Sequence, residues 1–194
     1  MSSDPVASIK DADFIYENSP VKVVANRDNP AIDLPGTTVG PFKEGKEYEV
    51  KFWIAQELKK AGIARIRMDE PLDLMTLNKI HWKERVQTSQ KVTSVPDDFY
   101  PKLRRFLAEL NEEAIKKPEK RSDYEKAKNL SDDITTMRLK KIVSLASSTR
   151  SQSGQITRSL TKEEKAIYTS LHQIISGWRT TILNPNQQEE ENQQ

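Results

Sequence analysis

The spacing of apolar residues changes character part-way along the 194-residue chain. The first third holds short apolar runs, separated by Asn, Pro and Gly, at Val21–Ala25, Ala31–Leu34, Tyr48–Val50 and Ile63–Met68. Runs of this kind predict short strands with turns between them. The segment 52–61 instead has the period of a helix, and Gly62 stands where a left-handed residue ends a helix.

Longer helical periods follow. Apolar residues recur every three or four positions in segments 73–87, 97–115, 122–146 and 160–182. The last segment is the clearest amphipathic helix, with one stripe of Ile167, Leu171, Ile174, Ile175, Trp178 and Ile182. Two of these helices are expected to begin with a capping box, Ser122 to Glu125 and Thr161 to Glu164.

These patterns predict an α+β chain that is mainly α, with a small mixed α/β N-terminal module followed by a helical bundle domain. The expected division is an N-terminal extension at 1–19, a small β-containing domain at 20–90, a linker at 91–96, a helical domain at 97–183 and a polar tail at 184–194. The linker is placed at a stretch without helical period that ends in Pro96.

Composition argues against catalysis. The chain has no Cys and two His, so it offers no disulfide framework, thiol nucleophile or thiolate metal site. His81 and His172 fall in different predicted domains, which argues against a His-based metal site. Carboxylate pairs such as Glu163-Glu164 are expected at helix starts or at surfaces, where negative charge is favourable. The sequence therefore predicts a protein that is no enzyme and uses no cofactor or metal.

Neither a signal peptide nor an apolar run of about 20 residues is present in the sequence. An intracellular protein without membrane contact is expected.

Positive charge is concentrated in the middle of the chain. The net charge is +2, but residues 51–91 hold nine Lys or Arg against five Asp or Glu. Lys79, Lys83 and Arg85 surround Trp82, and cations beside an aromatic residue suit single-stranded nucleic acid. These three cations are the candidate DNA contacts, although a solvated helix face is the competing interpretation, with Trp82 in a core or interface. A stand-alone nucleic-acid-binding module using 51–91 is the alternative function, and any DNA binding is expected to be weak and nonspecific.

The most specific motif combines a turn, a strand and a helix, marked by Gly40, Pro41, Phe42, Gly45, Trp53, Leu58 and Gly62. It is followed, in order, by Leu77-x-x-Ile80, Pro96-x-x-Phe99-Tyr100 and Arg138-x-x-Lys141-Ile142. In these motifs the chain resembles the GINS family, in the Psf-two and Psf-three type, whose small domain precedes its helical domain. The resemblance runs from about Asp13 to Ala146 and is looser in the last helix. The Ser-rich stretch after Ile142 and the Glu/Gln tail depart from it.

The resemblance implies a non-catalytic subunit of the GINS complex, a scaffold and accessory factor of the replicative MCM helicase in replication initiation and fork progression. The implied partners are a sister GINS subunit of opposite domain order in a 2:2 heterotetramer, the MCM helicase, and a RecJ-like or Cdc-type protein. An archaeal source is expected, with a cytoplasmic, nucleoid-associated location; a eukaryotic protein would be nuclear.

Surplus apolar surface predicts an interface in the helical domain. Leu139 and Leu145 lie outside the main stripe of their helix, which calls for a second neighbour, either in this chain or in another subunit. For Arg138 the expectation of a packing role comes from the resemblance alone. The expected interface residues are Met137, Arg138, Leu139, Ile142, Leu171, Ile174 and Trp178.

Overall fold

The computed structural model describes residues 4–67, 71–87, 92–148 and 157–183. The helices are α1 (Pro5–Glu17), α2 (Phe52–Lys60), α3 (Leu74–Val86), α4 (Phe99–Lys116), α5 (Arg121–Ala146) and α6 (Lys162–Leu183). The strands are β1 (Pro20–Ala25), β2 (Ile32–Leu34), β3 (Thr37–Val39), β4 (Glu47–Lys51) and β5 (Ala64–Arg67). Short 3₁₀ turns lie at Pro118–Lys120 and Thr157–Ser159. The predicted α+β class, mainly α, is confirmed.

The chain divides into two compact units, Asp13–Pro71 and Met1–Ala12 with Leu72–Gln194. In the first, the small unit, β1 is the central strand of an antiparallel sheet with the order β4-β1-β5. Val23 of β1 pairs with Tyr48 on one side and Ile66 on the other. The core of this unit consists of Val23, Ala25, Phe42, Val50, Ile54, Ala55, Leu58, Ile63 and Ala64.

The Gly-Pro-Phe motif shapes a turn around a core residue. Phe42 is buried, and it exchanges two backbone hydrogen bonds with Asn29. Gly40 has a φ of 92°, and a Cβ at this position would lie 3.0 Å from the Phe42 ring. Glycine is therefore required here for both conformation and space. Gly62 has a φ of 68° after α2, which confirms the predicted left-handed helix end.

The N-terminal segment is more regular than its sequence suggested. The segment predicted only as an N-terminal extension at 1–19 contains α1, a helix of 13 residues. Ala12 and Tyr16 lie one helical turn apart and are both buried. The ring of Tyr16 packs against Phe52 with 4.7 Å between centroids. Strand β3 was not predicted, because its Thr-Thr-Val sequence contains a single apolar residue.

In the helical unit, α5 packs against α3, α4 and α6. One core cluster joins α3, α4 and α5 through Leu77, Phe99, Leu103, Ala127 and Ile134. A second contains Ile142 and Leu145 of α5, Leu160 just before α6, and Val92, and residues of α6 such as Ile167 pack against it. The second neighbour that was predicted for α5 from Leu145 is therefore α6 of the same chain.

The boundary of the helical unit differs from the predicted linker at 91–96. Helix α3 falls in this unit, because the fully buried Leu77 packs with Phe99 and Ile134. Periodicity identified the helix, but it does not reveal which core the apolar face of a helix meets.

The start of α5 also differs from expectation. Ser122 is not the N-cap, because the 3₁₀ turn at 118–120 runs directly into a helix that begins at Arg121. Glu125 makes a hydrogen-bonded ion pair with Arg121 at 3.1 Å instead of closing a capping box.

The assignment of α3 is testable with Leu77→Ala. Removing this buried side chain should lower the stability of the helical unit by about 2–5 kcal/mol, because it leaves a cavity beside Phe99 and Ile134. Native-state hydrogen exchange should show faster opening at Ile134 and unchanged opening at Val23 and Ala55. Val23→Ala is the matched control and should give the reverse. Equal loss of protection in both units after Leu77→Ala would contradict the assignment.

Candidate functional site

Four of the charged side chains buried in the helical unit form one cluster. Glu84 comes from α3, Arg138 and Lys141 from α5, and Glu164 from α6, and none is more than 6% exposed. Two cations face two carboxylates, so the cluster is neutral as a whole. Buried charges persist in proteins when they are paired and hydrogen-bonded in this way.

Arg138 is the centre of the charge cluster. Its Nε and Nη2 donate to the two carboxylate oxygens of Glu164 at 2.6 and 2.8 Å. Its Nη1 donates to Glu84 Oε1 and, at 2.7 Å, to the backbone carbonyl of Thr93. Burial alone would lower the pKa of Arg138, but the hydrogen bonds and charge of Glu164 outweigh it and raise the pKa. The guanidinium therefore stays charged.

Lys141 and Tyr100 complete the pairing of the two carboxylates. Lys141 Nζ donates to Glu84 Oε2 at 2.6 Å and to the Glu84 backbone carbonyl at 2.8 Å. The Tyr100 hydroxyl donates to Glu164 Oε1 at 2.7 Å. Burial, together with the negative charge of Glu164, raises the pKa of Tyr100, so the phenol remains a neutral donor. Lys141 is therefore a buried member of the cluster and not part of a solvated helix face.

Glu164 also closes the predicted capping box of α6. The Thr161 amide donates to Glu164 Oε2 at 3.0 Å, and the Glu164 amide donates to Thr161 Oγ1 at 3.3 Å. The Glu164 carboxylate thus accepts a hydrogen bond from the Thr161 amide at the start of α6 and also binds the Arg138 guanidinium. The capping box is confirmed, and Glu164 lies at a helix start as predicted, but in the interior of the unit.

Sequence reasoning missed the acidic half of the cluster. The available signal was positional: Glu84 lies four and seven residues after Ile80 and Leu77, on the apolar side of α3. A carboxylate at a core position of one helix indicates a buried cation on another.

Arg138 and Ile142 require a correction as interface residues. Both are buried within the chain, so their side chains are unavailable to another subunit. Met137 is half-buried, and Leu171 packs partly against the second core cluster. Leu139, Ile174 and Trp178 remain exposed, by 44%, 68% and 65%.

Lys79, Lys83 and Arg85 are all exposed on α3. Trp82 is 64% exposed, so it is not a core residue of this chain as had been considered. His81 faces Asp133 at 3.5 Å.

Glu163 differs from the other buried carboxylates, because neither of its oxygens has a hydrogen-bond partner among the described residues. Arg104 approaches it only to 3.8 Å. Burial raises the pKa of Glu163, the residue's own backbone amide, Thr161 and Arg104 oppose this effect without cancelling it, and the nearby Glu164 adds a smaller increase. The side chain lines a cavity of about 670 Å³, which Leu103, Leu107, Leu139 and Ile167 also line. Its ionised form is therefore poorly stabilised in the folded chain.

No group of three or more His, Asp or Glu side chains in the described part of the chain is arranged to hold a metal ion. Across the same residues, every helix is too short or too polar to span a bilayer.

The charge cluster can be tested with Arg138→Met. This change leaves Glu84 and Glu164 buried without their shared cation, and breaking a buried pair costs about 3–5 kcal/mol. Urea unfolding at neutral pH should show a loss of this size. Arg121→Met, which removes an exposed ion pair with Glu125, is the control and should stay within about 0.5 kcal/mol of the wild type. Similar losses in both variants would refute a structural role for the cluster.

Glu163→Gln tests the unpartnered carboxylate. A raised acid pKa favours the protonated folded form, so its stabilising effect is present below the unfolded pKa and is lost as pH rises through the folded pKa. The neutral amide lacks this dependence and should make the chain more stable at pH 7, on the order of 1 kcal/mol. The difference should shrink towards pH 4 in thermal or urea unfolding. Glu112→Gln, at an exposed position of α4, should change little. Destabilisation by Glu163→Gln at pH 7 would show that the carboxylate is satisfied.

Comparison with known proteins matches both units. The GINS complex protein helical bundle domain matches residues 72–183, and the PSF2 N-terminal domain matches residues 8–67. The start of the helical match agrees with the placement of α3 in the helical unit.

Three curated relatives are animal proteins. The DNA replication complex GINS protein PSF2 of Homo sapiens is 30% identical over 97 residues, which is 50% of this chain and 51% of the relative. The Xenopus laevis protein of the same name gives the same identity and coverage. The probable PSF2 protein of Drosophila melanogaster is 32% identical over 88 residues, 45% of this chain and 42% of the relative.

The chain spans about half the length of the curated relatives it matches. The expected archaeal source gains no support from these animal proteins. The helical bundle match alone covers more than half of the 194 residues, and the PSF2 N-terminal match precedes it. The chain therefore belongs to the GINS family, in the type that carries a PSF2 N-terminal domain ahead of the helical bundle.

Proposed function

We propose that this chain is a non-catalytic subunit of a GINS complex that acts in DNA replication as a scaffold and accessory factor of the MCM helicase. Membership of the family supports assembly with other GINS subunits. The nature of the buried charge cluster supports a role without catalysis, because each of its charges is used in pairing helices.

The observation that carries the proposal is the divided stripe of α6. Ile167, Tyr168 and Leu171 pack against the second core cluster. Beyond them the same stripe continues with Ile174, Trp178 and Ile182, which are 68%, 65% and 59% exposed. Contiguous apolar surface of this kind marks association sites, and Trp is enriched among the residues that dominate binding.

Helix α5 carries a second row of exposed apolar side chains. Leu139 and Val143, one helical turn apart, are 44% and 40% exposed. We assign Met137, Leu139, Leu171, Ile174 and Trp178 to subunit interfaces, with Arg138 and Ile142 supporting them from inside.

The specific partner proteins are proposed from the resemblance to the GINS family. They are a sister subunit of opposite domain order in a 2:2 complex, the MCM helicase, and a RecJ-like or Cdc-type protein. Lys79, Lys83 and Arg85 are expected to add at most weak, salt-sensitive DNA contact. A nuclear or nucleoid location accompanies this role.

The α6 stripe is tested by Trp178→Ala. Because this residue is largely exposed in the free chain, the variant should remain folded, while losing a central aromatic contact weakens assembly by about 2 kcal/mol or more. Mixing with the sister subunit, followed by mass measurement in solution, should show dissociation at concentrations where the wild type assembles. Leu139→Asp should act in the same direction.

Gln173→Ala, at an exposed polar position of the same helix, is the matched control and should assemble normally. A wild-type chain that stays monomeric at micromolar concentration with the sister subunit present would overturn the proposal. Normal assembly of Trp178→Ala would instead move the interface away from α6.

A further inference from the structure

Helix α3 has an outer face that the helical unit does not use. Its inner face buries Leu77 and Glu84. On the opposite side Met75, Trp82 and Val86 are 64%, 64% and 62% exposed. Their spacing of seven and four residues places the three side chains within roughly 40° of one another around the helix axis. They form a row about 16 Å long.

The flanks of this row are positively charged. With about 100° per residue, Lys79 and Lys83 fall on one side of the row and Arg85 on the other. All three are exposed, and none makes a salt bridge within the described ranges. Glu84 is the only acidic residue of α3, and it is buried against Arg138 and Lys141. The outer face therefore presents an apolar row between cations, with no exposed carboxylate of the same helix to neutralise them.

We propose that the outer face of α3 is a docking site for an acidic amphipathic helix of a partner protein. Apolar side chains at spacings of seven and four are those that a second helix covers with its own apolar stripe. Carboxylates flanking that stripe would meet Lys79, Lys83 and Arg85, which gives the site its preference for an acidic partner. A second copy of this chain is disfavoured, because its own α3 would bring the same cations into contact.

The apolar row also favours a partner helix over nucleic acid as the ligand of this face. Single-stranded DNA gains from stacking on Trp82 and from the three cations, but Met75 and Val86 gain nothing from phosphates or bases. An apolar partner helix engages all three members of the row. The site is separate from the α6 stripe, and the proposal does not depend on GINS assembly.

The test uses the full chain and three fluorescently labelled probes. The first is a 21-residue peptide with Leu at the a and d positions of each heptad and Glu at e and g. The second carries Lys in place of every Glu, and the third is a 20-nucleotide oligo-dT. Binding is followed by fluorescence anisotropy at physiological salt. We expect the acidic peptide to bind, and the basic peptide and oligo-dT to bind at least tenfold more weakly.

Trp82→Ala should weaken acidic-peptide binding about tenfold or more. Ile115→Ala is the control, because Ile115 is likewise an exposed apolar residue on another helix, and it should leave peptide binding unchanged. The triple reversal Lys79→Glu, Lys83→Glu and Arg85→Glu should exchange the preference, so that the basic peptide binds better. In the assembly measurement with the sister subunit, Trp82→Ala should behave as the wild type.

Several results would overturn the proposal. Absence of acidic-peptide binding, or binding that Trp82→Ala leaves intact, would show that the face is not such a site. Tighter binding of oligo-dT, lost in Trp82→Ala, would identify a nucleic-acid surface. Loss of subunit assembly in Trp82→Ala would assign the face to the GINS interface.

The outcome for the proposed function is separate. Failure of the wild-type chain to assemble with the sister subunit would contradict the proposed function, whereas the peptide measurements would still decide the docking site.

Discussion

The bidentate pairing of Arg138 with Glu164, shared with Glu84, is the constraint on which the helical unit depends. A fully buried guanidinium is tolerated here because four hydrogen bonds join it to the carboxylates of Glu164 and Glu84 and to the backbone carbonyl of Thr93.

 The same carboxylate of Glu164 caps α6, so the start of that helix is tied to the middle of α5. Since Glu84 lies on α3, one side chain links three helices, and this bond adds to the packing of Leu77 that places α3 in the helical unit.

This interior pairing decides which surfaces remain for partners. Neighbouring residues on a helix point about 100° apart, so Arg138 faces inward while Leu139 faces outward. Likewise, the stripe of α6 packs on α5 only as far as Leu171, and its continuation with Ile174 and Trp178 is left exposed. The chain thus separates polar contacts that hold its own helices from apolar rows that are available to other proteins.

Most elements follow from local sequence, whereas the charge cluster does not. Alternation and helical period locate β1, β4, β5 and the helices from α2 onwards, and Thr161 with Glu164 predicts the capping box. The cluster joins Glu84, Arg138 and Glu164, which are separated by 54 and 26 residues. Periodicity assigns a face to each of these residues but does not pair the faces. The same limit explains why α3 was placed with the small domain, and why the exposure of Trp82 was not foreseen.

The charge cluster also determines the position of the α6 stripe. Apolar contacts alone would tolerate a slide of α6 by one turn, about 5.4 Å, because Ile167 and Leu171 are four residues apart and one would take the place of the other. The same slide would separate Glu164 from Arg138, leaving the Glu164 carboxylate without its cation and two of the Arg138 nitrogens without their acceptors, which is far more costly than repacking aliphatic side chains. A directional pair therefore fixes the register that a hydrophobic stripe leaves open. Because Trp178 lies on the same rigid helix, that register sets where its side chain is presented.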